Sequence, residues 1–128
     1  MTIVLQGEPR TKKNSQRLAW VNGRAVILPS KQYKEYREVC IWRIPAHQKA
    51  HISDAINMQC VYYMQTKRKV DLANLIEATC DILVDAGVIE DDNSKIVVSH
   101  DGSRVFLDRE NPRAEITITR VSNAKNTQ

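Results

Sequence analysis

The sequence predicts a single α+β domain, with a mixed or mostly antiparallel sheet and two main helices packed on it. Three observations carry that expectation. Residues 55–65 place Ile56, Met58, Cys60, Tyr62 and Met64 on one side by strict alternation, the period of a strand. Residues 31–44 and 72–86 instead repeat their apolar side chains at helical intervals. Asn22-Gly23, set between two short apolar runs, is the strongest hairpin signal a sequence offers. A chain of 128 residues can bury a core without staples.

The remaining elements follow in order. Residues 2–6 read as a short strand, and residues 8–17 as a polar basic loop. Residues 18–28 form two strands around Asn22-Gly23, and Pro29-Ser30 punctuates, with Ser30 able to cap the next helix. In that helix Tyr33, Tyr36, Val39 or Cys40, and Arg43 or Ile44 make the apolar stripe, and Pro45 stops it. Residues 47–53 suit a loop with a helical turn. Gly87 closes the second helix. Strands at 96–99 and 105–107 flank the Asp101-Gly102 turn, read as a hairpin like the others, and residues 114–121 alternate as a last strand. Residues 1–121 make the domain, and the polar stretch 122–128 a tail.

Composition bounds the function. The formal net charge of +4 and pI near 9.1 favour acidic partners without selecting one. Cys40, Cys60 and Cys80 are odd in number and widely spaced, which disfavours a disulfide framework or a zinc ribbon. Buried thiols in a reducing cytoplasm are the expectation, and no apolar run approaches membrane-spanning length.

The chemistry concentrates between Lys67 and Ser94. The text runs Lys67-Arg68-Lys69-Val70-Asp71-Leu72-Ala73-Asn74-Leu75, then Asp81-Ile82-Leu83, then Gly87-Val88-Ile89-Glu90-Asp91-Asp92-Asn93-Ser94. Carboxylates gathered from two segments, with cations just before them, suit a Mg²⁺ ion working on a polyanion, and so phosphodiester chemistry. At about 100° per residue, Leu72, Leu75, Ile76, Thr79, Ile82, Leu83 and Ala86 share the sheet-facing sector. Asp71, Asn74, Ala78, Asp81 and Asp85 share the opposite one, where Asp85 reads as simply solvated. Asn74 lies one turn from Asp71, whereas Asp81 stands roughly 15 Å along the axis, too far to share an ion with it. Asp71 is equally readable as an N-cap with Asn74 returning a contact, and Asp91-Asp92 as an Asx turn. The aspartates lack the glycine and glutamate of a calcium-binding EF-hand loop. His47, His51 and His100 lack metalloprotease spacing, and no phosphate-binding glycine loop or nucleophile elbow is present.

These residues resemble the RusA family of Holliday-junction resolvases, small endodeoxyribonucleases common in phages and prophages. The family core resembles D-L-x-N-L, D-x-L, a glycine and a D-D pair. Here it stands as Asp71-Leu72-Ala73-Asn74-Leu75, Asp81-Ile82-Leu83, Gly87 and Asp91-Asp92. Lys12-Lys13-Asn14-Ser15 and residues 30–36 are similar to the family's early basic loop and first helix, so the likeness spans nearly the whole chain. It implies a Mg²⁺-dependent homodimer, with Mn²⁺ a possible substitute, that nicks paired strands at branched, four-way DNA in recombination and repair.

By position, Asp71 and Asp92 match metal-binding aspartates, with Asp91 beside them as a third catalytic carboxylate and Asn74 as a further ligand. Lys12, Lys13, Asn14, Arg17, Lys67, Arg68 and Lys69 are the expected DNA contacts. Two positions depart: Ala73 stands where the best-characterised pattern has a second aspartate, and Glu77 where it has a catalytic lysine. Losing a carboxylate weakens a second metal, and losing a lysine removes a cation from the developing phosphate charge. A junction-binding protein with impaired or no cleavage is therefore the alternative. A small basic adaptor whose acidic turns are only caps is the third reading.

Overall fold

The computed structural model describes residues 1–12, 17–28 and 30–121. The expectations placed on Lys13, Asn14, the side chain of Arg17, Pro29 and the 122–128 tail lie outside the described residues.

The elements, in chain order, are β1 (Thr2–Gln6), β2 (Arg17–Val21), β3 (Arg24–Leu28), α1 (Lys31–Arg43), a 3₁₀ turn (Ala46–Gln48), β4 (Ile56–Met64), α2 (Leu72–Asp85), β5 (Val97–Ser99), β6 (Arg104–Leu107) and β7 (Arg113–Arg120). The main sheet is mixed. β1 pairs with β7 and β7 with β4, both antiparallel, while β5 and β6 run parallel to β4 on its other side. β4 is therefore the central strand. Its inward residues Ile56, Met58, Cys60, Tyr62 and Met64 are all buried, as the alternation predicts.

Local chemistry explains the boundaries. Ser30 caps α1, its hydroxyl accepting from Tyr33 N at 3.1 Å, and Pro45 follows the C-cap Ile44. Tyr33, Cys40 and Ile44 are buried while Val39 is exposed, which settles the stripe of that helix. Gly87, at φ +79°, ends α2, and a Cβ there would lie 2.8 Å from His51 Cε1. Asn22 and Gly23 both take positive φ and join β2 to β3 as a two-stranded sheet separate from the main one.

Two expectations need correction. β5 and β6 do not form a hairpin around Asp101-Gly102; each pairs parallel with β4, as two pieces of one edge run. Side chains on and beside β4 hold the break: Asn57 Oδ1 accepts from Asp101 N at 2.8 Å, and Ser103 Oγ accepts from Cys60 N at 2.9 Å. These bonds replace ladder bonds, so the turn interrupts the strand without reversing it. Ala78, assigned to the polar sector of α2, is buried. The cause is α1, which packs along that flank of α2; Asp85, farther along, stays exposed as expected and pairs at the surface with Arg37 of α1.

All three cysteines are buried, and burial pushes the thiols of Cys40 and Cys60 up to about 11 and that of Cys80 up to about 12. Raised folded values mean stability that is present below the ordinary thiol value of 9.0 and lost as pH climbs from there through 11 to 12. Urea unfolding between pH 8 and 10 is expected to show stability falling above pH 9, by up to about 1.4 kcal/mol per pH unit for each thiol. A flat profile would contradict this.

Candidate functional site

Helix α2 positions the first part of the site. Asp71 is its N-cap: the carboxylate Oδ1 accepts from Ala73 N at 2.9 Å, and the backbone carbonyl accepts from Leu75 N. The side chain is exposed at the end of the Lys67-Arg68-Lys69 loop, whose members are exposed as well. No acidic partner pairs with Lys67, Arg68 or Lys69 among the described residues. Asn74, half-buried, sits one turn along α2, and no bond from it back to the cap occurs among the described residues. Capping thus engages one oxygen of Asp71.

The second part lies beyond the far end of α2, some 21 Å away by helical rise. The chain then doubles back. Ile89 bridges Ile52 in parallel and Glu90 N donates to Ile52 O, and Asp91 and Asp92 follow directly, both exposed. Asn93, not an aspartate, makes the Asx turn, with Oδ1 accepting from Lys95 N at 3.0 Å. Its amide also donates to Asp91 Oδ2 at 2.8 Å, and this bond, with the Asp92 amide, holds the Asp91 carboxyl below the usual range. Asp91 is therefore ionised at neutral pH. Asp92 acts on the interior: after burial and Cys60, its charge is the next cause of the raised Cys80 thiol, ahead of Asp81 and Glu77.

The return run accordingly brings Asp92 toward the middle of α2, where Glu77 and Asp81 also stand. Cys80 is still about 14 Å of helical rise from Asp71. Exposed carboxylates and an amide oxygen are hard donors suited to a divalent cation. Among the described residues, however, no three His, Cys, Asp or Glu side chains stand close enough to hold one ion together.

Lys12 arrives at the same face from the N-terminal segment. Its ammonium pairs with Asp81 and lies 4.0 Å from Glu77 Oε1. The partners are far apart in sequence and no periodicity links them, so pattern reasoning could not find this contact.

An α+β domain with surface carboxylates beside cations that lack acidic partners among the described residues has the makeup of a protein that handles polyanions. The family described as endodeoxyribonuclease RusA matches residues 6–119, nearly the whole chain, and the chain belongs to that family. A search of curated proteins gave no match. The matched stretch contains Asp71, Asn74, Asp81, Asp91 and Asp92, and no described helix is long and apolar enough to cross a membrane.

Proposed function

We propose that the chain is a Mg²⁺-dependent, structure-selective endodeoxyribonuclease that resolves four-way DNA junctions in recombination and repair, acting as a homodimer in the cytoplasm. The observation that carries the reading is the spaced acidic motif, with Asp71, Asp91 and Asp92 exposed, abutting a cationic loop that lacks acidic partners among the described residues.

Asp71 with Asn74 at the helix start, and Asp91 with Asp92 in the turn beyond it, are the residues that would supply ligands, with Mn²⁺ able to substitute. Mg²⁺ usually keeps several waters and binds through one or two carboxylates plus substrate phosphates, so no cluster of three carboxylates is needed to hold it once DNA is bound. Bound there, it would polarise the scissile phosphate and acidify the attacking water. The chain's own groups do the rest. Lys67, Arg68 and Lys69 grip backbone phosphates without reading bases, with Lys12, Lys13, Asn14 and Arg17 as further contacts. Lys12 also brings a cation to the face where Glu77 stands, offsetting part of that acid's charge.

Two symmetric cuts call for a two-fold assembly, and β2 with β3 offers a surface for a second copy. Leu18, Trp20 and Ile27 are 66%, 71% and 66% exposed there, which is unusual for side chains of this kind.

Ala73 and Glu77 motivate a second reading, junction binding without cleavage. A synthetic four-way junction incubated with the protein in Mg²⁺ or in EDTA separates the two. Paired, symmetric nicks only in Mg²⁺ are expected; a retained complex without nicks in either buffer would replace the nuclease reading with the second.

A further inference from the structure

The outward face of the sheet carries a row of rings and guanidinium groups that the acidic site does not use. Register sets Arg113 of β7 beside Tyr63 of β4, and Tyr63 beside Phe106 of β6. Arg113 Cζ lies 3.8 Å from the Tyr63 ring centroid, and the Tyr63 and Phe106 rings stack at 5.7 Å with 27° between their planes. Arg104, two residues before Phe106, stands 5.9 Å from that ring's centroid. Asp108 and Glu115 hold Arg113 through its guanidinium at 3.0 and 2.8 Å, fixing it over Tyr63. Phe106 is the last ring of the row, between Tyr63 and Arg104, and is still 45% exposed.

A large apolar ring held in place by its neighbours yet left open is a platform. Its surroundings indicate what it takes. Asp108 N donates to Met64 O, so the row lies at the end of β4 that continues into the Lys67-Arg68-Lys69 loop. Arg104 and Arg109, like those three, have no acidic partner among the described residues. Five cations without acidic partners among the described residues, one over the ring and four in the segments that continue from β4 and β6, favour a polyanion that also has flat apolar faces, and they disfavour a second copy bearing the same charges.

We propose that Phe106 stacks an unpaired base of the DNA strand whose phosphates lie on Lys67, Arg68 and Lys69. This rests on the nucleic-acid reading above and adds to it a reason for preferring branched DNA. Bases inside a duplex are already stacked on both faces, whereas bases at a branch point can swing out and offer one.

The test uses the full chain and three DNA probes: a four-way junction carrying 2-aminopurine at the branch, a single-stranded oligonucleotide, and a duplex. Phe106→Ala is expected to weaken junction and single-strand binding on the order of tenfold, with duplex affinity little changed, and to abolish the 2-aminopurine signal change. Phe106→Trp restores both. Phe106→Leu, which keeps apolar bulk without a ring, gives the same losses should the alanine variant fail to fold. Unchanged affinity of the alanine or leucine variant on all three probes would overturn the proposal. So would dissociation of a dimer, seen by sedimentation, with DNA affinity per protomer preserved, which assigns the face to a second copy. Failure of the unsubstituted chain to bind any probe sinks the functional reading itself, an outcome distinct from both.

Discussion

Asp92→Asn is expected to remove Mg²⁺-dependent nicking of a four-way junction, by a factor on the order of a hundred or more, while leaving junction binding in EDTA intact. That scale is what the loss of one electrostatic partner of a transition state produces. The substitution keeps shape and removes one charge from an exposed turn, so it should not disturb the fold. Asn93 supplies the bonds that shape this turn, through Lys95 N and the Asp91 carboxylate, and neither depends on the charge of Asp92. Two further readouts separate a lost ligand from a damaged turn. Mn²⁺ affinity measured calorimetrically should fall, and the thermal midpoint should stay near that of the unsubstituted chain. Nicking within about threefold of normal, with unchanged Mn²⁺ affinity, would remove Asp92 from the metal site and return the acidic turn to a purely structural role. Asp71→Asn makes an informative companion. Asparagine still caps a helix well, so a loss of nicking there could not be ascribed to unravelling of α2.

Much of the fold was legible because its signals are local. Alternation along β4, Ser30 before α1, Gly87 after α2 and Asn22-Gly23 between β2 and β3 each act within a few residues, and each appears where it was read. What was not legible depends on neighbours distant in sequence. Ala78 is buried because α1 lies against it, and Asp85 is paired because the same helix presents Arg37. The parallel run of β5 and β6 could not be told from a hairpin, since Asp101-Gly102 is a good turn in either setting; Asn57 and Ser103 decide the matter. The acidic motif was visible as spacing, but the doubling back that aims Asp92 at the middle of α2 was not, because it rests on Ile89 meeting Ile52. Phe106 carried no sequence signal, since a strand alternation marks which side a ring faces and not whether anything covers it.

Leu83→Ala is expected to be the most destabilising single change near the site, at about 2–5 kcal/mol, and to weaken metal binding although Leu83 can touch no ion. The side chain is fully buried in the core that also contains Ile52, Ile82, Val88 and Ile89, so its removal leaves a cavity among side chains fixed from several directions. A loss of that size is a large share of the roughly 5–15 kcal/mol that holds a domain of this kind, and thermal melting should show it as a drop of about 10 °C or more. The functional part follows from the backbone. Val88 N and Ile89 N both donate to Leu83 O, at 2.9 and 3.4 Å, so this residue sits where the chain turns from helix to return run. Loosening it frees the segment that carries Asp91 and Asp92 relative to the helix that carries Asp71. Val84→Ala, at a half-buried position on the same turn, is the control. It should cost less stability and leave Mn²⁺ affinity unchanged. If Leu83→Ala, measured well below its melting point, bound Mn²⁺ as tightly as the unsubstituted chain, the two acidic segments would not be coupled through α2, and a ligand set shared between Asp71 and Asp92 would lose its physical basis.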